Sequence, residues 1–127
     1  MMNLKECLNA YYRYYGEEKL MAVNVDALDK ALAEPYAKTF IGGREIYPEM
    51  TDKAAALFEA IIRLKPFPVG NLAFAFILTV LFIHKNGWRL NASDDEVRQF
   101  LKNFSEGVRS SVDVKGWFLK RMEQVRD

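Results

Sequence analysis

From Leu72 to Ile83 the chain is apolar at every position except Thr79. That stretch is well short of the ~20 residues a membrane-crossing helix needs, so it reads as a helix buried on all sides by the rest of the protein. The remaining chain must supply the cover. It is 127 residues long, 50% hydrophobic and 28% charged, which suits one domain over residues 1–127 and excludes a disordered tail. Lys and Arg number 18 against 17 Asp and Glu, and a net charge of +1 gives no electrostatic footprint for nucleic acid or a membrane surface. Cys7 is the only cysteine, which excludes an intramolecular disulfide and a zinc cage and fits a reducing compartment. The opening Met1-Met2-Asn3-Leu4-Lys5-Glu6 turns charged at once and lacks the apolar core of a secretion signal, so a cytoplasmic location is expected.

Helical periodicity accounts for most of the remainder. Leu4, Cys7, Leu8, Tyr11, Tyr12 and Tyr15 recur by threes and fours and predict a first helix that stops near Gly16, its tyrosines serving as core and groove wall. A short, peripheral second helix, capped by Asn24, places Val25, Leu28, Ala31 and Leu32 together and ends before Pro35. Thr39-Phe40-Ile41 and Arg44-Glu45-Ile46-Tyr47 flank Gly42-Gly43, a hairpin signal because the tight turn needs positive φ; a flap lying on the helical body is the expectation. Ala54, Leu57, Phe58, Ile61 and Ile62 form the stripe of a third helix from about Pro48 or Thr51, and its continuation would return Lys65 to the apolar side. Ser93-Asp94-Asp95-Glu96 is a capping box that opens a fifth helix bearing Val97, Phe100, Leu101, Phe104 and Val108, with Gly107 near its end. A sixth, after Ser110-Ser111, carries Val114, Trp117, Phe118 and Val125 inward. The fold class is all-α: a bundle of about six helices around the buried one, with a small β-hairpin.

The junction Lys65-Pro66-Phe67-Pro68-Val69-Gly70-Asn71 leads into the apolar helix at the end where unpaired N–H groups and the helix dipole favour an anion. Taken alone, a Pro- and Gly-containing loop between helices is an ordinary turn. His84, the single histidine, lies about 20 Å along the same helix at 1.5 Å per residue and cannot share that end; the dipole at a helix C-terminus explains it and Lys85 equally well. No Ser-His-Asp set, phosphate loop or HExxH motif is present.

From about Val25 to Met122 the chain resembles the Doc (death on curing) branch of the Fic family. The pieces that carry the resemblance are Asp26-Ala27-Leu28, Ala31-Leu32-Ala33-Glu34-Pro35, Ile41-Gly42-Gly43 with Ile46-Tyr47-Pro48, Lys53-Ala54-Ala55-Ala56-Leu57, Lys65-Pro66-Phe67, Gly70-Asn71 and Asn86-Gly87-Trp88-Arg89-Leu90. The resemblance implies a Fic/Doc-like helical bundle with a flap, and a motif reading His-Pro-Phe, any residue, an acidic residue or Asn, Gly or Ala, Asn, Lys or Gly, Arg. Here Lys65 takes the place of the histidine that activates the target hydroxyl. Val69 stands where a polar group helps to hold Mg²⁺, and Leu72 and Ala73 stand where phosphate-binding residues would lie, whereas Phe67, Gly70 and Asn71 match. A general base is typically worth about 10² to 10⁴ in rate and a transition-state donor about 10² to 10³, so the loss of base, metal-side group and cationic clamp together implies a motif that no longer transfers.

For Lys65 to act as the base its pKa must fall from about 10.4 to near 7, roughly 4 to 5 kcal/mol against the charged form; a protonated Lys65 that holds an anion or snorkels to solvent needs no such shift. Three readings follow. The first is a Doc-like protein with a degenerate motif that works by binding a protein or an amphipathic, antitoxin-like helix along the groove beside the old site, without cofactor or metal, as relatives in toxin–antitoxin modules bind their antitoxin. The second is an active transferase that moves phosphate or a nucleotide from ATP with Mg²⁺ to a protein hydroxyl; it needs Lys65 to act, with Arg44 or Glu45 supplying groups the motif lacks from a flap that includes Gly42, Gly43, Arg44 and Ile46. The third is a structural homo-oligomer built on exposed aromatic surface.

Overall fold

A computed structural model describes residues 2–105 and 113–125 of the chain. The apolar run forms α4 (Asn71–Lys85), and it packs most extensively on α3 (Met50–Leu64), whose buried Ala54, Ala55, Ala56 and Ala60 let the two axes come close. Phe58, Leu57 and Ile61 of α3 meet Phe74, Leu78, Phe82 and Ile83 of α4 in the core. Around this pair lie α1 (Leu4–Met21), α2 (Val25–Ala33), α5 (Asp94–Ser105) and α6 (Val114–Arg121), with a 3₁₀ turn at Glu34–Tyr36 after α2. The molecule is the helical bundle expected from the sequence.

The helix ends follow local chemistry. Asn24 Oδ1 accepts the Ala27 N–H at 3.1 Å, and Ser93 Oγ accepts the Glu96 N–H at 3.1 Å, the two caps expected from those residues. Helix α1 is broken at Gly16 (φ 86°, ψ 173°) and resumes to Met21. Asp113 Oδ1 caps α6 through the Gly116 N–H.

Four expectations are corrected. Helix α4 is not buried all round: Ala73 and His84 are exposed and Leu81 is 43% exposed, because α1 lies beside α4 without closing over it. Lys65 does not project into the apolar side, because α3 ends at Leu64 and Lys65 adopts the left-handed conformation (φ 48°, ψ 57°), which turns its exposed side chain off the helical stripe. Val125 is not inward: the last helix stops at Arg121, the chain becomes extended, and Val125 is 46% exposed. Val25 opens α2 at its outer edge and stays 43% exposed, apart from the buried Leu28, Ala31 and Leu32. Gly107, Val108, Ser110 and Ser111 lie outside the described residues.

A short antiparallel pair joins β1 (Trp88–Leu90) to β2 (Met122–Gln124), with Trp88 opposite Gln124 and Leu90 opposite Met122. Arg89 and Glu123, facing each other across it, form an ion pair at 2.9 Å. The Lys38–Tyr47 segment is a hairpin with a single bridge, Lys38 to Glu45. Backbone bonds run from Thr39 N to Arg44 O (2.8 Å) and from Ile46 N to Ala37 O (3.0 Å), and Gly42 and Gly43 supply the positive φ of its turn (89° and 60°).

Candidate functional site

Between α3 and α4 the chain turns through Pro66, Phe67, Pro68, Val69 and Gly70, and four independent contacts hold it there. Asn24 N–H donates to Pro66 O at 2.8 Å. The Tyr11 hydroxyl donates to Val69 O at 2.8 Å. Asn71 closes the loop from the other side: its Oδ1 accepts the Phe67 N–H at 3.0 Å and its Nδ2 donates to Phe67 O at 2.8 Å. The fourth is a ring stack, with Phe67 nearly parallel to Tyr11 at 4.4 Å and both edge-on to Phe74. Burial is the main cause that raises the Tyr11 pKa, opposed by the bond to Val69 O.

The first turn of α4 begins at Gly70, whose φ of 76° suits glycine, and no side chain caps it. Tyr15 lies directly against Gly70, so that a Cβ there would come within 2.7 Å of Tyr15 Cζ. The helix start expected to receive an anion is thus flanked by an aromatic ring, by half-buried Leu72 and by exposed Ala73, and its first turn carries no charged side chain. Lys65 stands at the rim with no side-chain partner among the described residues, and Val69 is 40% exposed.

The motif resemblance implies a nucleotide and Mg²⁺ at these positions. Mg²⁺ needs oxygen ligands and phosphate needs donors. The side chains of Val69, Leu72 and Ala73 offer neither, and Asn71 Oδ1 already accepts the Phe67 N–H. Lys65 and the backbone N–H groups are donors to an anion, but the set supplies no free side-chain oxygen for Mg²⁺ and so does not fit a metal-bound triphosphate. Among the described residues no group of three or more His, Cys, Asp or Glu side chains could hold a metal ion.

The structure therefore brings together Lys65, Phe67, Val69, Gly70, Asn71, Leu72 and Ala73 at one corner, as one loop and one helix start must. The flap residues behave differently. Gly42, Gly43, Arg44 and Ile46 are exposed, and the Arg44 side chain has no partner among the described residues. Glu45, with Arg44 a candidate to serve the motif in the transferase reading, pairs with Lys53 at 3.1 Å. Sequence reasoning missed Lys53, although its place on the Leu57 and Ala60 stripe at helical spacing marks a cation aimed inward. It placed Tyr11, Tyr12 and Tyr15 as core and groove wall; Tyr11 and Tyr15 touch the motif loop, whereas Tyr12 faces outward and is 50% exposed.

The second feature is a groove of about 440 Å³ between α1 and α4, toward the far end of α4; it includes none of Phe67, Val69, Leu72 and Ala73, so it lies away from the motif and not beside it as expected. Met2, Ala10, Leu78 and Leu81 line it, with Glu6, Arg13, His84 and Lys85 among the polar residues along it. Glu6 pairs with Lys85 across the two helices. Cys7, buried beside this pair, has its thiol pushed up to about 12, chiefly by burial and then by the Glu6 carboxylate. No helix among the described residues is long and apolar enough to cross a membrane.

No family model matches the chain, and no solved structure matches it. It is similar to a curated protein named Toxin Doc from Mycolicibacterium smegmatis, with 38% identity over 68 residues, covering 54% of this chain and 51% of the relative. The chain thus spans about half the length of the curated relative it matches. This match, with the helical bundle and its hairpin, supports the assignment of the chain to the Doc-like family.

Proposed function

We propose that this Doc-like chain acts by binding a protein in a toxin–antitoxin-type setting in the cytoplasm, without nucleotide or metal, and that the transfer chemistry of the motif is lost. The observation that carries the reading is the strip of α4 left uncovered by α1, with Leu81 43% exposed above the groove lined by Met2, Ala10 and Leu78. An amphipathic helix docks on such a surface by setting apolar anchors into the groove and polar groups along its rim. The corner at Lys65–Ala73 supports the loss of chemistry, because Lys65 stands in place of the motif's histidine and Val69, Leu72 and Ala73 carry apolar side chains where metal- and phosphate-binding groups would lie.

Calorimetric titration with ATP and Mg²⁺ tests the reading. No heat up to millimolar nucleotide is expected, whereas micromolar affinity overturns it and revives a transferase. In parallel, a partner with an amphipathic helical tail should co-purify with the native chain and be lost from Leu81→Glu. A chain that stays partnerless under all conditions, or that light scattering shows to be a stable homo-oligomer closed over this groove, counts against it.

A further inference from the structure

The hairpin at Lys38–Tyr47 has too little pairing to hold itself. It has one bridge, and an isolated two-stranded ribbon is marginal in water. Its tip projects from the described residues: Phe40 and Ile41 are 104% and 86% exposed. Its feet are a different matter. Lys53, on α3, is only 7% exposed, and it is one of just three polar or charged residues buried among the described ones.

An ammonium has three N–H donors and no acceptor, so a buried one needs three favourable neighbours. The hairpin and the turn before it provide them. Lys53 Nζ donates to Glu45 Oε1 at 3.1 Å and to the Tyr47 carbonyl, and it lies 5.5 Å from the centroid of the Tyr36 ring. Tyr36 immediately precedes the outgoing arm, while Glu45 and Tyr47 belong to the returning one. The Tyr47 hydroxyl donates in turn to Glu34 Oε1 at 3.1 Å, tying the returning foot back to the 3₁₀ turn. Both feet converge on one cation.

We infer that Lys53 is the latch of the flap: its buried ammonium clasps the two feet of the hairpin to α3, so the docked position of the flap depends on this cation more than on strand pairing. Departure of the flap would take the carboxylate and the carbonyl away from the ammonium together, and the loss of both contacts is what favours the docked state. The tip is left free to project while the base is fixed. This role is separate from the groove between α1 and α4 and does not depend on whether a helix binds there.

Hydrogen–deuterium exchange on the full chain tests it, with Lys53→Met and Glu45→Ala beside the wild type. The expected result is exchange at least tenfold faster at the Thr39 and Ile46 amides in Lys53→Met, and several-fold faster in Glu45→Ala, while the amides of α4 keep their wild-type protection. Unchanged flap exchange in both variants overturns the latch. Protection lost equally from the flap, α3 and α4 also overturns it, since Lys53 would then be only part of the core. If Lys53→Met does not fold, Glu45→Ala decides alone, because Glu45 is half exposed and its removal leaves the core intact.

Discussion

At its first turn α4 meets Tyr11, Tyr15, Phe67 and a loop whose backbone is bonded from three directions; at its last turns it meets Met2, Glu6 and Arg13 across an open groove. The first end is where the motif resemblance places catalysis, yet its polar groups bond mostly to one another. The far end carries no motif, yet its apolar floor and charged rim remain available. The contrast teaches that the two ends of one helix can differ in how their polar groups are used: at the first turn they hold the chain's own loop, and at the last turns they line an open groove.

Phe74→Ala against Leu81→Ala is the hardest test of that contrast. Phe74 is fully buried and touches Tyr11, Tyr15 and Phe67, so its truncation should cost about 3–5 kcal/mol in urea denaturation, against under about 1 kcal/mol for the half-exposed Leu81. Equal costs would erase the distinction between the ends. Asn71→Ala asks whether the amide is structural: it leaves Phe67 N–H and C=O without their partner and should lower stability by about 1–3 kcal/mol with no nucleotide present. An Asn71→Ala protein as stable as the wild type would return Asn71 to a ligand-binding role.

The far end has a pH signature of its own. The thiol of Cys7 stands at about 12 when folded against an ordinary 9.0, so the folded state holds its proton longer than the unfolded state does. Stability from this group is complete below about pH 9 and falls by about 1.4 kcal/mol per pH unit as pH rises toward 12. Unfolding free energies from urea denaturation at pH 8 and 10 should therefore differ by about 1 kcal/mol more in the wild type than in Cys7→Ala. Parallel values in the two proteins would show that Cys7 titrates normally.

How far the sequence led depended on the range of the interactions. Caps at Asn24 and Ser93 and the stripe of α3 are settled within a few residues and stand where the pattern places them, while Gly16 breaks the first helix where its end is expected but the helix resumes to Met21. The β1–β2 pair gave no such signal, since each strand is three residues long and its partner lies more than thirty positions away. Lys65 was misplaced because helical phase was carried one residue past Leu64, where a left-handed residue ends it. At the motif corner, residue types revealed what was missing from the family pattern, but the reciprocal bond of Asn71 with Phe67 and the approach of Tyr15 to Gly70 depend on folding that no local pattern encodes.

The β1–β2 clasp also sets an order of assembly. Bringing Met122–Gln124 back to Trp88–Leu90 closes a long loop, so its entropic cost is met only after α5 and α6 have collapsed onto Phe58 and Phe76. Late closure of so short a ribbon makes it the seam that parts early under mild denaturant, and a fluorophore near Trp88 would report that parting before the helices around α4 come apart.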